Sequence, residues 1–372
     1  MILGIDVSTY FEEMASNAKY YENDRLVEPL ELFYQNGVEY MRIRVWNNPY
    51  DENNVPYLGG TCDVDNFIRL SKLAISKGYK ILLDFHYSDF WADPGKQILP
   101  KEWSNLTIDE LEDKIYEFTV DVLKRAKDAG VNVELVQIGN EITNGMCWPI
   151  GRLIEDSNKD TRSNYHSLVR LLKKGIKGAK EVFPNIKIVL HLEKSYDQKI
   201  YYEFFNKMRE YNVEYDIIGA SYYPYWHGTF EAFFNNMNMC QKEFNKDIMV
   251  MELGYGFTLE DYIKTNNGTA HLVVNDSNLD SFNFNKPYPL TKEGQRDFIK
   301  EFLRLAKINN IKGVFYWEPL WIPGENICWA SKEGQKYIKE EGKTTRNEWA
   351  NQCLFDYEGK ATPAFYEFKK ED

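Results

Sequence analysis

The sequence of 372 residues has no apolar run near the roughly 20 residues that span a bilayer, so it reads as a chain without a membrane segment. It contains no low-complexity stretch, internal repeat or linker, and nothing marks a boundary between domains. Basic clusters are missing as well. Lys and Arg number 45 against 57 Asp and Glu, a net charge of −12, and no basic stripe interrupts that background. A nucleic-acid partner is excluded on that ground. Cysteine is scarce: Cys62, Cys147, Cys240, Cys328 and Cys353 are scattered, and their odd number leaves at least one thiol free. No pair of them has metal-ligand spacing, the histidines are isolated, and the expectation is no metal site. Cys328 and Cys353 share a C-terminal region and could pair in an oxidising compartment. The opening stretch ILGIDVS lacks G-x-G-x-x-G, so a dinucleotide fold loses its main support. It also lacks a charged leader followed by an apolar segment. The expectation is a cytoplasmic protein if the chain is complete as given, and an extracellular one if a leader was trimmed.

What the sequence has in quantity is aromatic and apolar residues, 15% and 43% of the chain. Trp46, Trp91, Trp103, Trp148, Trp226, Trp317, Trp321 and Trp329 lie in or beside segments that read as loops. Indole faces that pack against the apolar C–H faces of pyranose rings would explain several; core or interface packing is the plainer reading.

Short apolar runs recur at 2–7, 40–46, 80–85, 133–138, 186–191, 215–221, 248–253 and 313–319. Helical stretches are expected around 26–36, 63–77, 107–130, 161–182, 197–210, 229–243 and 291–309. Thr107 and Glu110 have the spacing of a capping box. The strand runs are nearly continuous in Val, Ile and Leu, as parallel strands covered on both faces require. Alternation of strand and helix predicts right-handed crossovers. Eight such units favour closure into an α/β (β/α)8 TIM barrel, a single catalytic domain over residues 1–372. Residues 318–360 are expected as a loop-rich region over the active-site face.

Active sites of such barrels sit at the C-terminal strand ends. The runs VQIGNEI and IMVMELG meet an acidic residue there, Glu141 and Glu252. A glycosidase needs such a pair: one carboxyl protonates the leaving oxygen, the other attacks the sugar or activates water. Neighbouring strand ends carry Arg44, Asp84, His86, Asn140, His191, Glu193, Ser221, Tyr222, Tyr223, Trp317 and Glu318. Arg44 would hold Glu252 ionised through charge and hydrogen bonds. Tyr223 would orient that carboxylate, Asn140 would bond a sugar hydroxyl, and Trp317 would floor the reacting sugar. Each residue alone has a plainer reading: a solvated loop charge, a structural ion pair for Arg44, a core histidine, or backbone hydrogen bonds for Asp84. Seven consecutive strands that end this way argue for a site.

The blocks GIDVS (4–8), RIRVWNNP (42–49), DFHYSDFWADPGKQ (84–97), VQIGNEITNGMCWPIG (136–151), ASYYPYWHG (220–228), MELGYGFTLED (251–261), GVFYWEP (313–319) and WANQCLFD (349–356) follow in order over nearly the whole chain. With them the chain resembles the endo-β-1,4-galactanases of glycoside hydrolase family 53, within the clan A barrels. The resemblance implies a retaining mechanism, with Glu141 as acid/base and Glu252 as nucleophile. It implies internal cleavage of galactan or type I arabinogalactan to galacto-oligosaccharides, without a required cofactor. Arg44, Asp84, His86, Asp89, Trp91, Asn140, His191, Tyr223 and Trp317 are the substrate-binding candidates. Trp91 and Trp317 are expected along a groove, and a monomer is expected. Bacterial members often carry calcium in the loop after strand 7. Here that loop lacks the dense D-x-D pattern, so Asp261, Asn266, Asn267 and His271 are read as remnants without tight binding.

Three other readings stay open. Another clan A glycosidase (mannanase, cellulase or β-galactosidase) would use the same glutamates with different loop aromatics. A noncatalytic glycan-binding barrel would keep the tryptophans but has no use for two carboxyls. A sugar-phosphate isomerase or aldolase barrel would want a lysine or phosphate cradle at the last two strands, where IMVMELG and GVFYWEP offer neither.

Overall fold

A computed structural model describes residues 1–156, 161–263, 271–275 and 288–370. Eight parallel strands form a closed barrel: β1 (Ile2–Asp6), β2 (Tyr40–Val45), β3 (Lys80–Phe85), β4 (Val133–Ile138), β5 (Lys187–Leu192), β6 (Ile217–Tyr222), β7 (Asp247–Leu253) and β8 (Gly313–Trp317). Each strand pairs with its sequence neighbours, and β1 closes the ring on β8 with Ile2 opposite Gly313. Outside lie α1 (Pro29–Gln35), α2 (Val64–Ser76), α3 (Ile108–Asp128), α4 (Tyr165–Val182), α5 (Gln198–Glu210), α6 (Phe230–Phe244), α7 (Lys292–Ile308) and α8 (Pro363–Glu367). The capping box before α3 is formed: Thr107 N donates to Glu110 Oε2 at 2.8 Å, and Glu110 N to Thr107 Oγ1 at 3.3 Å.

One local reading of the sequence gives way. Residues 161–163 were expected as the first turn of a helix; instead Thr161–Ser163 pairs with Ile154–Asp156 in an antiparallel ribbon. Asn164 stands between ribbon and helix at φ 69, a conformation that a right-handed helix cannot include. Between β1 and α1 the chain also forms a short helix, Tyr10–Ala15, and a hairpin of Tyr20–Glu22 with Arg25–Val27. The cysteines are all free and buried, so Cys328 and Cys353 do not pair; Cys353 Sγ donates to Trp321 O at 3.1 Å instead. Among the described residues no helix is long and apolar enough to cross a membrane.

The barrel interior has two layers. Its lower part is apolar, built from Tyr40, Leu82, Leu135, Val189, Ile217, Met249, Met251 and Phe315. Two residues further along the same faces stand Arg42, Asp84, Gln137 and His191, all buried. Side chains two apart in a strand share a face, so each strand changes from packing residue to polar residue as it rises. Outward-facing residues such as Ile43, Leu83, Val136 and Leu190 belong to the larger core under the helices.

Candidate active site

Both glutamates reach the interior through irregular backbone. Glu252 follows Met251, an inward residue, so strict alternation would turn it out toward the helices. A register shift intervenes: Ala220 faces Val250, but the next residue, Ser221, faces Glu252. The extra residue in β7 re-aims Glu252 into the barrel, a common use of a bulge beside a site. Glu141 lies just beyond β4, where Gly139 at φ 84 bends the chain. A side chain at Gly139 would meet Ile142 at 2.6 Å. Glu141 itself adopts φ 47 and ψ 50, a left-handed conformation that is costly for a residue with a side chain. Gln97 from the loop after β3 braces this turn, donating to Asn140 O at 2.8 Å.

A chain of polar contacts joins the two carboxyls around the barrel. Arg42 lies 3.1 Å from Glu252 Oε1, and Tyr223 Oη donates to Glu252 Oε2 at 2.7 Å. Arg42 also pairs with Asp6 and Asp84, each at 2.8 Å, and donates to Asn140 Oδ1 at 2.8 Å. His191 Nδ1 lies 3.1 Å from that same oxygen, and its Nε2 lies 2.8 Å from Ser221 Oγ. Ser221 Oγ in turn is 2.6 Å from Glu141 Oε1.

Above this network opens a cleft of about 580 Å³, lined by Glu141, Glu252 and six tryptophans, Trp91, Trp226, Trp317, Trp321, Trp329 and Trp349. His86, Asn140 and Tyr223 complete its floor near the carboxyls. Residues beyond β8 supply Trp321, Trp329, Glu348 and Trp349 to the wall. Trp349, the tryptophan nearest the C-terminus, packs edge-on to Trp317 with ring centroids 4.8 Å apart.

Four of the substrate-binding candidates stand behind the cleft rather than in its wall. Arg44 pairs with Glu318 at 2.5 Å and Asp6 at 3.4 Å, and its guanidinium lies 4.2 Å from the centre of the Trp91 ring. It supports Trp91, and the cation beside Glu252 is Arg42, one inward position lower. Asp89 is a loop staple, accepting from Asn48 N at 2.9 Å and Lys101 N at 2.8 Å. Asp84 is buried against Arg42, with His86 Nε2 3.1 Å away, and His191 is buried between Asn140 and Ser221. Arg42 was visible in the sequence as the first arginine of RIR; its distance from the strand end hid it.

The two carboxyls differ in surroundings. Burial pushes Glu141 well above the usual carboxylate range, and the charges of Glu252 and Glu193 add to the rise. Its contact to Ser221 is with a neutral hydroxyl. Burial raises Glu252 too, but the Arg42 guanidinium and Tyr223 hydroxyl oppose it. Of the pair, Glu141 is the better holder of a proton. Asp84 lies below its usual range: full burial acts to raise it, and Arg42 and His86 together outweigh that.

Donor atoms of Glu141, His191 and Glu252 lie within 4.8 Å of one another, the one such group of three or more among the described residues. Both ring nitrogens of His191 are engaged by Asn140 and Ser221, so the trio has no free imidazole lone pair for a cation. In the loop after β7, Asp261 Oδ2 accepts from His271 N at 3.1 Å and contacts the His271 ring. Among the described residues no other carboxylate joins them. Asn266 and Asn267 lie outside the described residues.

Comparison with known proteins fits this geometry. The chain is 32% identical to an endo-β-1,4-galactanase of Bacillus subtilis (strain 168) over 389 residues, covering 99% of this chain and 85% of that one. It is 31% identical over 336 residues to an arabinogalactan endo-β-1,4-galactanase of Thermothelomyces thermophilus, covering 87% and 91%. The solved catalytic domain of an Ignisphaera aggregans GH53 protein superposes with a TM-score of 0.87 at 35% identity, over 99% of this chain and 95% of that one. Residues 2–368 match the model of the family described as Glycosyl hydrolase family 53, and the chain belongs to that family.

Proposed function

We propose that the chain is an endo-β-1,4-galactanase, a retaining hydrolase that cuts internal β-1,4-galactosidic bonds of galactan and type I arabinogalactan to galacto-oligosaccharides. The observation that carries the reading is the pair Glu141 and Glu252, with oxygens within 4.8 Å at the floor of a tryptophan-lined cleft. Retaining glycosidases hold their carboxyls about 5–5.5 Å apart, whereas inverting ones leave roughly 6.5–9.5 Å for a water. The spacing here lies on the retaining side. Relatives named for galactanase activity support the substrate class.

In this reading Glu252 attacks the anomeric carbon as its bond to the leaving oxygen breaks, and that oxygen takes the proton of Glu141. A galactosyl ester of Glu252 results. Glu141, now a carboxylate, takes a proton from water, and the water oxygen displaces Glu252 and restores both groups. Arg42 favours the ionised nucleophile before attack and after release. The chemistry asks for nothing beyond the two carboxyls. The wall tryptophans offer stacking faces to sugars on either side of the cut.

The test is chemical rescue on an aryl β-galactoside, whose leaving group departs without protonation. Glu141→Ala should keep part of its activity there, and azide should accelerate it and give the β-galactosyl azide. Glu252→Ala should lose turnover on every substrate. An α-azide from Glu141→Ala, or a β-azide from Glu252→Ala, would reverse the roles.

A further inference from the structure

The polar circuit has more members than two carboxyls need, and the direction of its hydrogen bonds follows from its fixed ends. Asn140 Nδ2 donates to Ala92 O at 2.8 Å, while its Oδ1 receives Arg42 at 2.8 Å and Gln137 Nε2 at 3.0 Å. Arginine offers donors alone, and a carbonyl accepts alone, so the amide has one orientation. His191 Nδ1, 3.1 Å from Oδ1, must therefore carry its hydrogen. His191 is fully buried and faces Arg42, Asp84, His86 and His227. Burial first, and Arg42 next, hold it well below the usual histidine range, so the ring is neutral. Its Nε2 is then a bare acceptor, and Ser221 Oγ lies 2.8 Å away. With the single Ser221 hydrogen directed there, the oxygen presents lone pairs to Glu141 Oε1 at 2.6 Å. Oriented so, the bond takes its hydrogen from Glu141; the opposite orientation, with Ser221 donating to an ionised Glu141, lowers the Glu141 pKa and leaves His191 Nε2 without a donor.

We propose that His191 and Ser221 form a relay that keeps the proton on Glu141, His191 acting by engaging the Ser221 hydrogen; the proposal rests on the reading of Glu141 as acid/base. Both are positioning residues. When Glu141 passes its proton to the leaving oxygen, the Ser221 hydroxyl turns and donates to the new carboxylate, which leaves His191 Nε2 bare. When Glu141 recovers a proton from water, the hydroxyl turns back. Ser221 and His191 each keep their own hydrogen throughout, so the proton balance closes between leaving group, water and Glu141. Ionised Glu141 thus carries the cost of an orphaned buried acceptor. Glu252, Glu193 and Asp93 also face Glu141 and push the same way, but their effect does not depend on Ser221.

The readout is the basic limb of kcat/KM on linear galactan, which reports the free enzyme's acid. His191→Leu removes the acceptor and leaves Asn140 Oδ1 with Arg42 and Gln137. Ser221 can then donate to ionised Glu141, and the limb should move to lower pH by about one unit. In a Ser221→Ala background the same replacement should leave the limb in place. A limb that rises or stays in His191→Leu, or that falls equally without Ser221, overturns the relay. Nitrogen NMR of the intact enzyme, labelled on its five histidines, settles the matter should a variant fail to fold. A neutral His191 ring protonated on Nδ1 across about pH 5–8 is expected; an Nε2–H tautomer or an imidazolium overturns the relay. Glu141→Gln, which should lack the limb altogether, tests the underlying reading separately.

Discussion

Arg42 neutralises Asp6, Asp84 and Glu252 at 2.8, 2.8 and 3.1 Å, and all four side chains are buried. Removing it leaves three carboxylates without their shared cation in a medium that solvates charge poorly. Arg42→Leu should therefore lose about 3–5 kcal/mol of stability, read from urea unfolding, together with nearly all turnover. A variant that kept wild-type stability would show that the cluster is held by other means. Trp317 sits differently: it is only half-buried and lines the cleft. Trp317→Ala should cost kcat/KM on galactan at least tenfold while thermal unfolding shifts little; loss of folding instead would make it a core residue. At this scale the sequence was readable where a residue ends a strand and silent where the backbone departs from alternation. The strand ends exposed Glu141 and Glu252, but the shift at Met251 that turns Glu252 inward has no local signature. Arg42 and Arg44 share a face, and nothing in RIR tells which reaches the carboxylate.

The helix Tyr10–Ala15 carries a buried acid outside the catalytic circuit. Glu13 has one oxygen 3.3 Å from Tyr20 Oη, while the other has no partner. Burial holds its pKa well above 4.5, with the charges of Glu12 and Glu318 adding. The sign follows directly: the folded state keeps this proton and the unfolded chain releases it above about 4.5. Glu13 therefore lowers stability progressively as pH rises from there toward its folded pKa. Glu13→Gln, with a neutral side chain of the same shape, should flatten that slope and melt higher than wild type at pH 8. A variant that is less stable at pH 8 would mean that Glu13 is ionised in the fold. The cap of α3 is a milder case, where Thr107→Ala should cost about 1 kcal/mol in chemical unfolding. That cap was legible because a side-chain pair three residues apart defines it. The helix at Tyr10 and its following hairpin were not, since elements so short carry too few residues to show a period.

For the molecule as a whole, the eight strands were legible because each is covered on both faces, which forces a nearly continuous apolar run. Observed and expected strands differ by two residues at most at either end. What the runs concealed is the change from apolar to charged along their inward faces, from Leu82 to Asp84 or Val189 to His191. Polar residues inside a buried run look like isolated exceptions until closure gathers them into one layer. Closure also brings Glu141 and Glu252, from opposite halves of the chain, within 4.8 Å. In the proposed reaction that pair acts by double displacement within a polymer chain. Proton NMR of the first products from linear β-1,4-galactan tests it most directly. A ladder of galacto-oligosaccharides is expected, whose new reducing ends appear first as the β-anomer and only later mutarotate. New ends that appear first as the α-anomer, or galactose alone from the start, would contradict it.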